Sequence, residues 1–107
     1  MSPVKTLPPS ELGAYKKAIE EGSCLLLDVR ELNEYEAGHI PSAKAWPLSQ
    51  MSVWPSELTK DRTIIVYCRT SNRSRRCADV LCSGGFQDVY VLEGGFNAWC
   101  SCQNGHK

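Results

Sequence analysis

The feature that most constrains the fold is a short, unbroken run of apolar and β-branched residues, 63–67, that ends abruptly at Cys68. A second run, 24–29, has the same character. Short apolar runs bounded by polar residues are typical of fully buried strands, most often in a parallel sheet. Such a sheet binds ligands at the carboxyl ends of its strands. We therefore expect Cys68 to lie where a strand meets a ligand crevice.

Strands and helices are predicted to alternate along the whole chain. The predicted strands are 4–7, 24–29, a short one around 45–46, 63–67 and 89–92. The first predicted helix runs from an N-cap at Ser10 to Gly22, the second covers 31–37, and short helical pieces follow within 48–58. The last begins in the segment 68–74, which we call the cysteine loop, and ends at the glycines at 84–85. We expect Leu32, Tyr35 and Val80 to face the core. This alternation within 107 residues indicates one α/β domain, 1–107, with right-handed crossovers.

The segment after Cys68 has the composition of an anion-binding loop. Four cations lie within eight residues of the sulfur: Arg69, Arg73, Arg75 and Arg76. Ser71 and Asn72 are both suited to cap a following helix, whose unpaired N–H groups would point back at the loop. A thiol in such a setting ionises more easily, which favours a reactive thiolate at Cys68. The alternative is an ordinary core cysteine beside a solvated arginine face.

Charged residues also follow the second apolar run, at Asp28 and Arg30. In a parallel sheet this strand end should lie near Cys68. Two interpretations stay open, because the pair could support the site or form an ordinary ion pair that anchors a loop. His39 is expected to be structural rather than a catalytic base.

The net charge, the apolar segments and the positions of the cysteines bear on the class of protein. Twelve basic residues balance twelve acidic ones, so the net charge of zero gives no reason to expect nucleic acid or an anionic membrane as a partner. The first residues contain no apolar signal segment, and no run approaches the length of a membrane span. Three of the six cysteines (Cys24, Cys77 and Cys82) lie in apolar segments, where reduced thiols are common. We therefore expect a cytoplasmic protein with reduced thiols.

The end of the chain, 100–107, is expected to be a frayed tail. Cys100 and Cys102, with His106, could bind a metal or act as a dithiol, but idle exposed thiols are favoured because a frayed end is poorly preorganised.

Four motifs occur in a characteristic order between residues 4 and 99. They are Leu27-Asp28-Val29-Arg30-Glu31 with Tyr35-Glu36 after it, Gly38-His39-Ile40-Pro41-Ser42-Ala43, Cys68-Arg69-Thr70-Ser71-Asn72-Arg73-Ser74, and Glu93-Gly94-Gly95-Phe96-Asn97-Ala98-Trp99. In these motifs the chain resembles a single-domain rhodanese, a member of the thiosulfate sulfurtransferase family. The resemblance implies a rhodanese-like α/β fold, with a five-stranded parallel sheet flanked by helices on both faces.

The resemblance also implies a ping-pong reaction in which Cys68 is the nucleophile and carries sulfur as a persulfide. Backbone N–H groups of residues 69 to 73 would form the cradle, and Arg69 and Arg73 would aid an anionic donor. The substrate-binding residues implied are Arg69, Thr70, Ser71, Asn72, Arg73 and Ser74, with Asp28 and Arg30 in support.

The partners implied are a small sulfur donor such as thiosulfate, or a persulfide, and a thiol or cyanide as acceptor. A sulfur-relay protein or thioredoxin is a further expectation, and no cofactor, metal, nucleic acid or membrane is implied. A protein-to-protein persulfide relay with poor small-molecule turnover is the main alternative, since fold alone does not settle function.

The sequence departs from the family pattern at three positions. Related loops often carry Gly where Ser71 and Ser42 stand, and some carry a cation where Thr70 stands, so thiosulfate is not necessarily the preferred donor. Cysteine phosphatases of similar fold use C-x5-R, whereas four residues separate Cys68 from Arg73 here. The shorter loop suits a sulfur atom better than a phosphoryl group.

Overall fold

The computed structural model describes residues 4–47, 62–70, 72–86 and 88–104, with side chains as far as residue 102. The strands are β1 (Lys5–Leu7), β2 (Cys24–Asp28), β3 (Lys44–Ala45), β4 (Thr63–Tyr67) and β5 (Val89–Leu92). A 3-10 helix (Pro9–Tyr15) leads into α1 (Lys16–Glu21), and the other helices are α2 (Leu32–Ala37), α3 (Asn72–Ser83) and α4 (Gly95–Asn104). The predicted pieces within 48–58, together with Ser71 and His106, lie outside the described residues.

The five strands form one parallel sheet in the order β1-β5-β4-β2-β3, which confirms the predicted architecture. The apolar run 63–67 forms the central strand β4, whose five residues pair with all five of β2. In this register Asp28 lies beside Tyr67, the residue that precedes Cys68. The carboxyl ends of the two most apolar strands therefore meet at one place, as parallel pairing requires.

Alternating side chains of the central strands build a core on each face of the sheet. Leu27 and Val66 pack with the buried face of α3, and Cys68 belongs to this first core. Leu26 and Tyr67 point to the opposite face, where the 3-10 helix contributes the buried Leu12 and α4 packs with Phe96 and Trp99. Helices therefore cover both faces, and the cysteine lies on the α3 side.

Three local predictions were wrong. Ser10 does not cap a helix, because Pro8 is extended and Pro9 already starts a 3-10 turn, with no side-chain cap hydrogen bond. Leu32, the first residue of α2, is 51% exposed. Val80 is 41% exposed, because the buried stripe of α3 is narrower and consists of Ser74, Cys77, Ala78 and Leu81. By contrast, Gly22 ends α1 in the left-handed conformation, as predicted.

The chain end also differs from expectation. Helix α4 continues to Asn104, so Cys100 and Cys102 lie in a helix rather than in a frayed tail. Trp99 packs against the second core, which gives this helix an apolar anchor. In the part of the chain that the structure describes, no helix is long and apolar enough to cross a membrane.

Candidate active site

Cys68 follows the last residue of β4 and is almost fully buried, with 1% of its surface exposed. Its Sγ accepts a hydrogen bond from the backbone N–H of Ser74, at 3.4 Å, and lies 3.5 Å from the Ser74 hydroxyl oxygen. Ser74 is the third residue of α3, so its N–H is one of those that a helix leaves without an internal partner. The turn of the loop thus places the backbone N–H and the hydroxyl of Ser74 against the sulfur of Cys68, six residues earlier.

The N-terminus of α4 contacts the cysteine loop through two backbone hydrogen bonds. The backbone N–H of Phe96 donates to the carbonyl oxygen of Cys68 at 2.8 Å, and that of Asn97 donates to the carbonyl of Arg69 at 3.1 Å. In a trans peptide the N–H points opposite to the carbonyl. The N–H groups of residues 69 and 70 are therefore turned away from α4.

Gly95 makes this close approach possible. Its φ is +63°, in the left-handed region that favours glycine, and a Cβ at this position would overlap the Thr70 carbonyl oxygen and come within 2.5 Å of the Cys68 carbonyl oxygen. The sequence showed only a glycine pair after a strand, which predicted a tight turn. The contact with a loop 25 residues earlier was missed, and the glycine pair beside a strand end was the only signal of it.

The cationic side chains of the loop differ in their surroundings. Arg69 is exposed, as are Arg75 and Arg76 further along α3. Arg73 instead forms a two-point ion pair with Glu34 of α2, from Nη1 to Oε1 at 3.0 Å and from Nη2 to Oε2 at 3.3 Å. The hydrogen bond from Arg73 lowers the pKa of the Glu34 carboxyl, and the same bond raises the pKa of the Arg73 guanidinium. Sequence reasoning did not single out Glu34.

The other predicted loop residues are distributed around the sulfur. Thr70 and Asn72 are exposed, whereas Ser74 is fully buried, and Ser71 lies outside the described residues. The structure thus places Ser74 against the sulfur and leaves Thr70 and Asn72 at the surface.

Asp28 and Arg30 form a buried ion pair, which was one of the two interpretations of the sequence. Nε and Nη2 of Arg30 donate to the carboxylate at 2.6 to 3.1 Å, and Nη2 also donates to the Gly38 carbonyl at 2.6 Å. The guanidinium lies 4.4 Å from the centroid of the Phe96 ring. The pair therefore ties β2 to the end of α2 and to the start of α4, the helix that holds the cysteine loop.

His39 has a structural setting, in agreement with its expected role. Its Nδ1 lies 3.0 Å from the Tyr35 carbonyl oxygen, and its ring stacks on the Tyr35 ring with centroids 3.9 Å apart. Within the described ranges, no group of three or more His, Cys, Asp or Glu side chains is arranged to hold a metal ion.

Two further thiols are buried away from solvent. Burial raises the pKa of Cys24 to about 11 and that of Cys77 to about 12. Because the folded values exceed the ordinary thiol value, the unfolded chain loses these protons first as the pH rises. We expect the free energy of unfolding to be maintained below about pH 9 and to fall between about pH 9 and 12. Urea unfolding at several pH values measures this, and Cys77→Ala should show a shallower fall, whereas an unchanged slope would contradict the assignment.

A cavity of about 520 Å³ lies on the opposite face of the sheet from the cysteine. Leu12, Leu26 and Ile40 of the second core line it, together with Trp99 and Cys102 of α4. Among the described residues that line this cavity, none comes from the cysteine loop. We therefore place the candidate active site at Cys68 and not in this cavity.

Comparisons with known proteins show which family the chain resembles. A family model for the Rhodanese-like domain matches residues 11–102. The uncharacterized protein YqhL of Bacillus subtilis is 42% identical over 97 residues, which cover 90% of this chain and 72% of that protein. The thiosulfate sulfurtransferase GlpE of Pseudoalteromonas translucida is 35% identical over 81 residues, or 76% of this chain and 77% of that protein. A crystal structure of a rhodanese-related protein from Thermoplasma volcanium superposes with a TM-score of 0.79 at 25% identity, covering 96% of this chain and 95% of the other.

Proposed function

This chain belongs to the rhodanese family, and we propose that it transfers sulfane sulfur through a persulfide on Cys68. The observation that carries the proposal is the contact of two Ser74 groups with the cysteine sulfur at the carboxyl end of the central strand. The backbone N–H of Ser74 donates to Sγ, and the Cys68 thiol donates to the Ser74 hydroxyl oxygen. Donors fixed around a sulfur stabilise negative charge on it, both in the thiolate and in a persulfide anion.

The first half-reaction loads the cysteine. The Cys68 thiolate attacks the outer sulfur of the donor, a new S–S bond forms, and the donor bond breaks with its electron pair leaving on the donor. From thiosulfate the leaving group is sulfite. The Ser74 hydroxyl can donate to the sulfur once the thiol has lost its proton. No separate base is required at this step, because the thiolate itself is the nucleophile.

The second half-reaction transfers the sulfur from Cys68 to an acceptor. A thiolate or cyanide attacks the terminal sulfur, the S–S bond to Cys68 breaks, and the cysteine returns as thiolate while the acceptor leaves as a persulfide or thiocyanate. Thioredoxin or a sulfur-relay protein would supply such an acceptor thiol. We place the reaction in the cytoplasm, where disulfides rarely persist, and in keeping with this the six cysteines form no disulfide.

The test is the intact mass of the purified protein before and after exposure to a small sulfane donor. We expect a gain of one sulfur that cyanide reverses and that is absent in Cys68→Ser. Cys82→Ser is the matched control, since it removes a half-buried thiol elsewhere on α3 and should load normally. Full loading with slow turnover would identify a relay to another protein. A failure of every small donor to load the wild-type chain would contradict the proposal and direct attention to phosphatase assays.

A further inference from the structure

The carboxylate of Glu34 lies against the cation of the cysteine loop. Its two oxygens accept both terminal nitrogens of Arg73, and Oε1 also accepts the backbone N–H of Glu31 at 3.0 Å. The carboxylate is therefore held at the start of α2 by a backbone donor while it faces the loop. Glu34 and Arg73 are separated by 39 residues in sequence and meet only through the fold.

The ion pair between Arg73 and Glu34 lowers the net positive charge that an incoming sulfur donor encounters at the loop. The Arg73 and Glu34 side chains are 37% and 27% exposed, so their charges are only partly screened by solvent. Together they contribute no net charge, and the buried Asp28 and Arg30 pair contributes none either. The loop therefore offers an incoming anion fewer uncompensated cations than its arginine-rich sequence indicates.

From this geometry we infer that Glu34 sets the class of sulfur donor, by making the loop favour singly charged or neutral donors over dianions. The inference rests on the proposed sulfur transfer. A carboxylate repels a dianion about twice as strongly as a monoanion at the same distance, and Glu34 is held against Arg73, a cation of the cysteine loop. The favoured donors are persulfides and organic thiosulfonates, and thiosulfate is disfavoured. From a persulfide RS–SH, the Cys68 thiolate takes the terminal sulfur with its proton, and the donor leaves as RS⁻.

Two small sulfur donors differ in charge but react through the same kind of S–S bond. Thiosulfate is a dianion and methanethiosulfonate is a monoanion, and both present a terminal sulfane sulfur on an S–S bond, with sulfite and methanesulfinate as the respective leaving groups. We expect Glu34→Gln to raise the ratio of loading rates, thiosulfate over methanethiosulfonate, by about three- to tenfold at low salt. The gain should shrink as ionic strength rises, since salt screens a partly exposed charge.

The substitution is conservative for the fold. A glutamine at position 34 retains an oxygen for the Glu31 N–H, so α2 keeps this contact. Glu36→Gln is the matched control, because it removes the same charge from an exposed position on the same helix and should leave the ratio unchanged. Glu34→Asp keeps the charge and should retain a ratio close to that of the wild type.

The outcomes distinguish the inference from the reaction on which it rests. A ratio that stays constant or falls in Glu34→Gln, with both donors still loading Cys68, would overturn the role of Glu34 alone. A parallel loss of both rates would also overturn it, since that is the signature of a purely structural residue. No loading of the wild-type chain by either donor would overturn the sulfur transfer itself, and the inference with it.

Discussion

Gly95→Ala is expected to slow persulfide formation on Cys68 by about a hundredfold or more, and to destabilise the fold as well. The added Cβ would overlap the Thr70 carbonyl oxygen, a backbone atom that cannot rotate aside. The loop must then move away from the α4 N-terminus. Displacing a reacting group by about 1 Å costs on the order of a hundredfold in rate. The rate of sulfur gain by intact mass, together with urea unfolding, measures both effects.

Gly22→Ala is the matched control for this prediction. Gly22 also has a positive φ, +90°, but nothing lies within 4 Å of a Cβ built there. An alanine at position 22 therefore meets the conformational penalty of about 1–2 kcal/mol without any steric overlap. We expect a modest loss of stability in Gly22→Ala with normal sulfur loading. If Gly95→Ala loaded sulfur at the wild-type rate, the contact between α4 and the loop would have no part in positioning the cysteine.

The elements of the sheet could be predicted from the sequence because their signals are local. The runs 24–27 and 64–67 are apolar throughout, which is typical of a strand buried on both faces, and both lie in interior strands of the sheet. The same reasoning placed Cys68 at a strand end. Reasoning from local pattern failed for Val80, which was predicted to face the core but is exposed. Helical periodicity indicates which side of a helix is buried, but it does not indicate how wide the buried stripe is.

The site could be predicted only in part, because its electrostatics depend on contacts between distant segments. The arginines around Cys68 indicated a cationic loop, yet nothing near Arg73 in the sequence shows that Glu34 neutralises it. The role of Gly95 is hidden for the same reason, since its nearest neighbours belong to the cysteine loop and not to its own turn. A local pattern can locate a nucleophile, but it does not report the charge or the backbone support that surrounds it.

Arg30→Met is expected to lower the free energy of unfolding by about 3–5 kcal/mol, because it leaves the Asp28 carboxylate buried without its cation. Asp28 is fully buried, and three side-chain hydrogen bonds from Arg30 reach its oxygens. Changing both residues, as Asp28→Asn with Arg30→Met, should cost less than Arg30→Met alone, since the stranded charge is then removed. Urea unfolding of the two variants beside wild type measures the difference.

Lys5→Met supplies the comparison at the surface. Lys5 pairs with Asp88 at 2.9 Å, but the two side chains are 51% and 43% exposed, so losing this solvent-screened pair should cost far less than losing the buried pair. Equal losses in Lys5→Met and Arg30→Met would contradict the role of burial. Because Arg30 also holds the Gly38 carbonyl at the end of α2, Arg30→Met should loosen the helix that carries Glu34. The Asp28 carboxylate, which lies beside Tyr67 at the start of the loop, then keeps its negative charge without a cation. We therefore expect Arg30→Met to shift donor preference further away from thiosulfate, and Asp28→Asn with Arg30→Met to restore it, which links the buried ion pair to the chemistry of the loop.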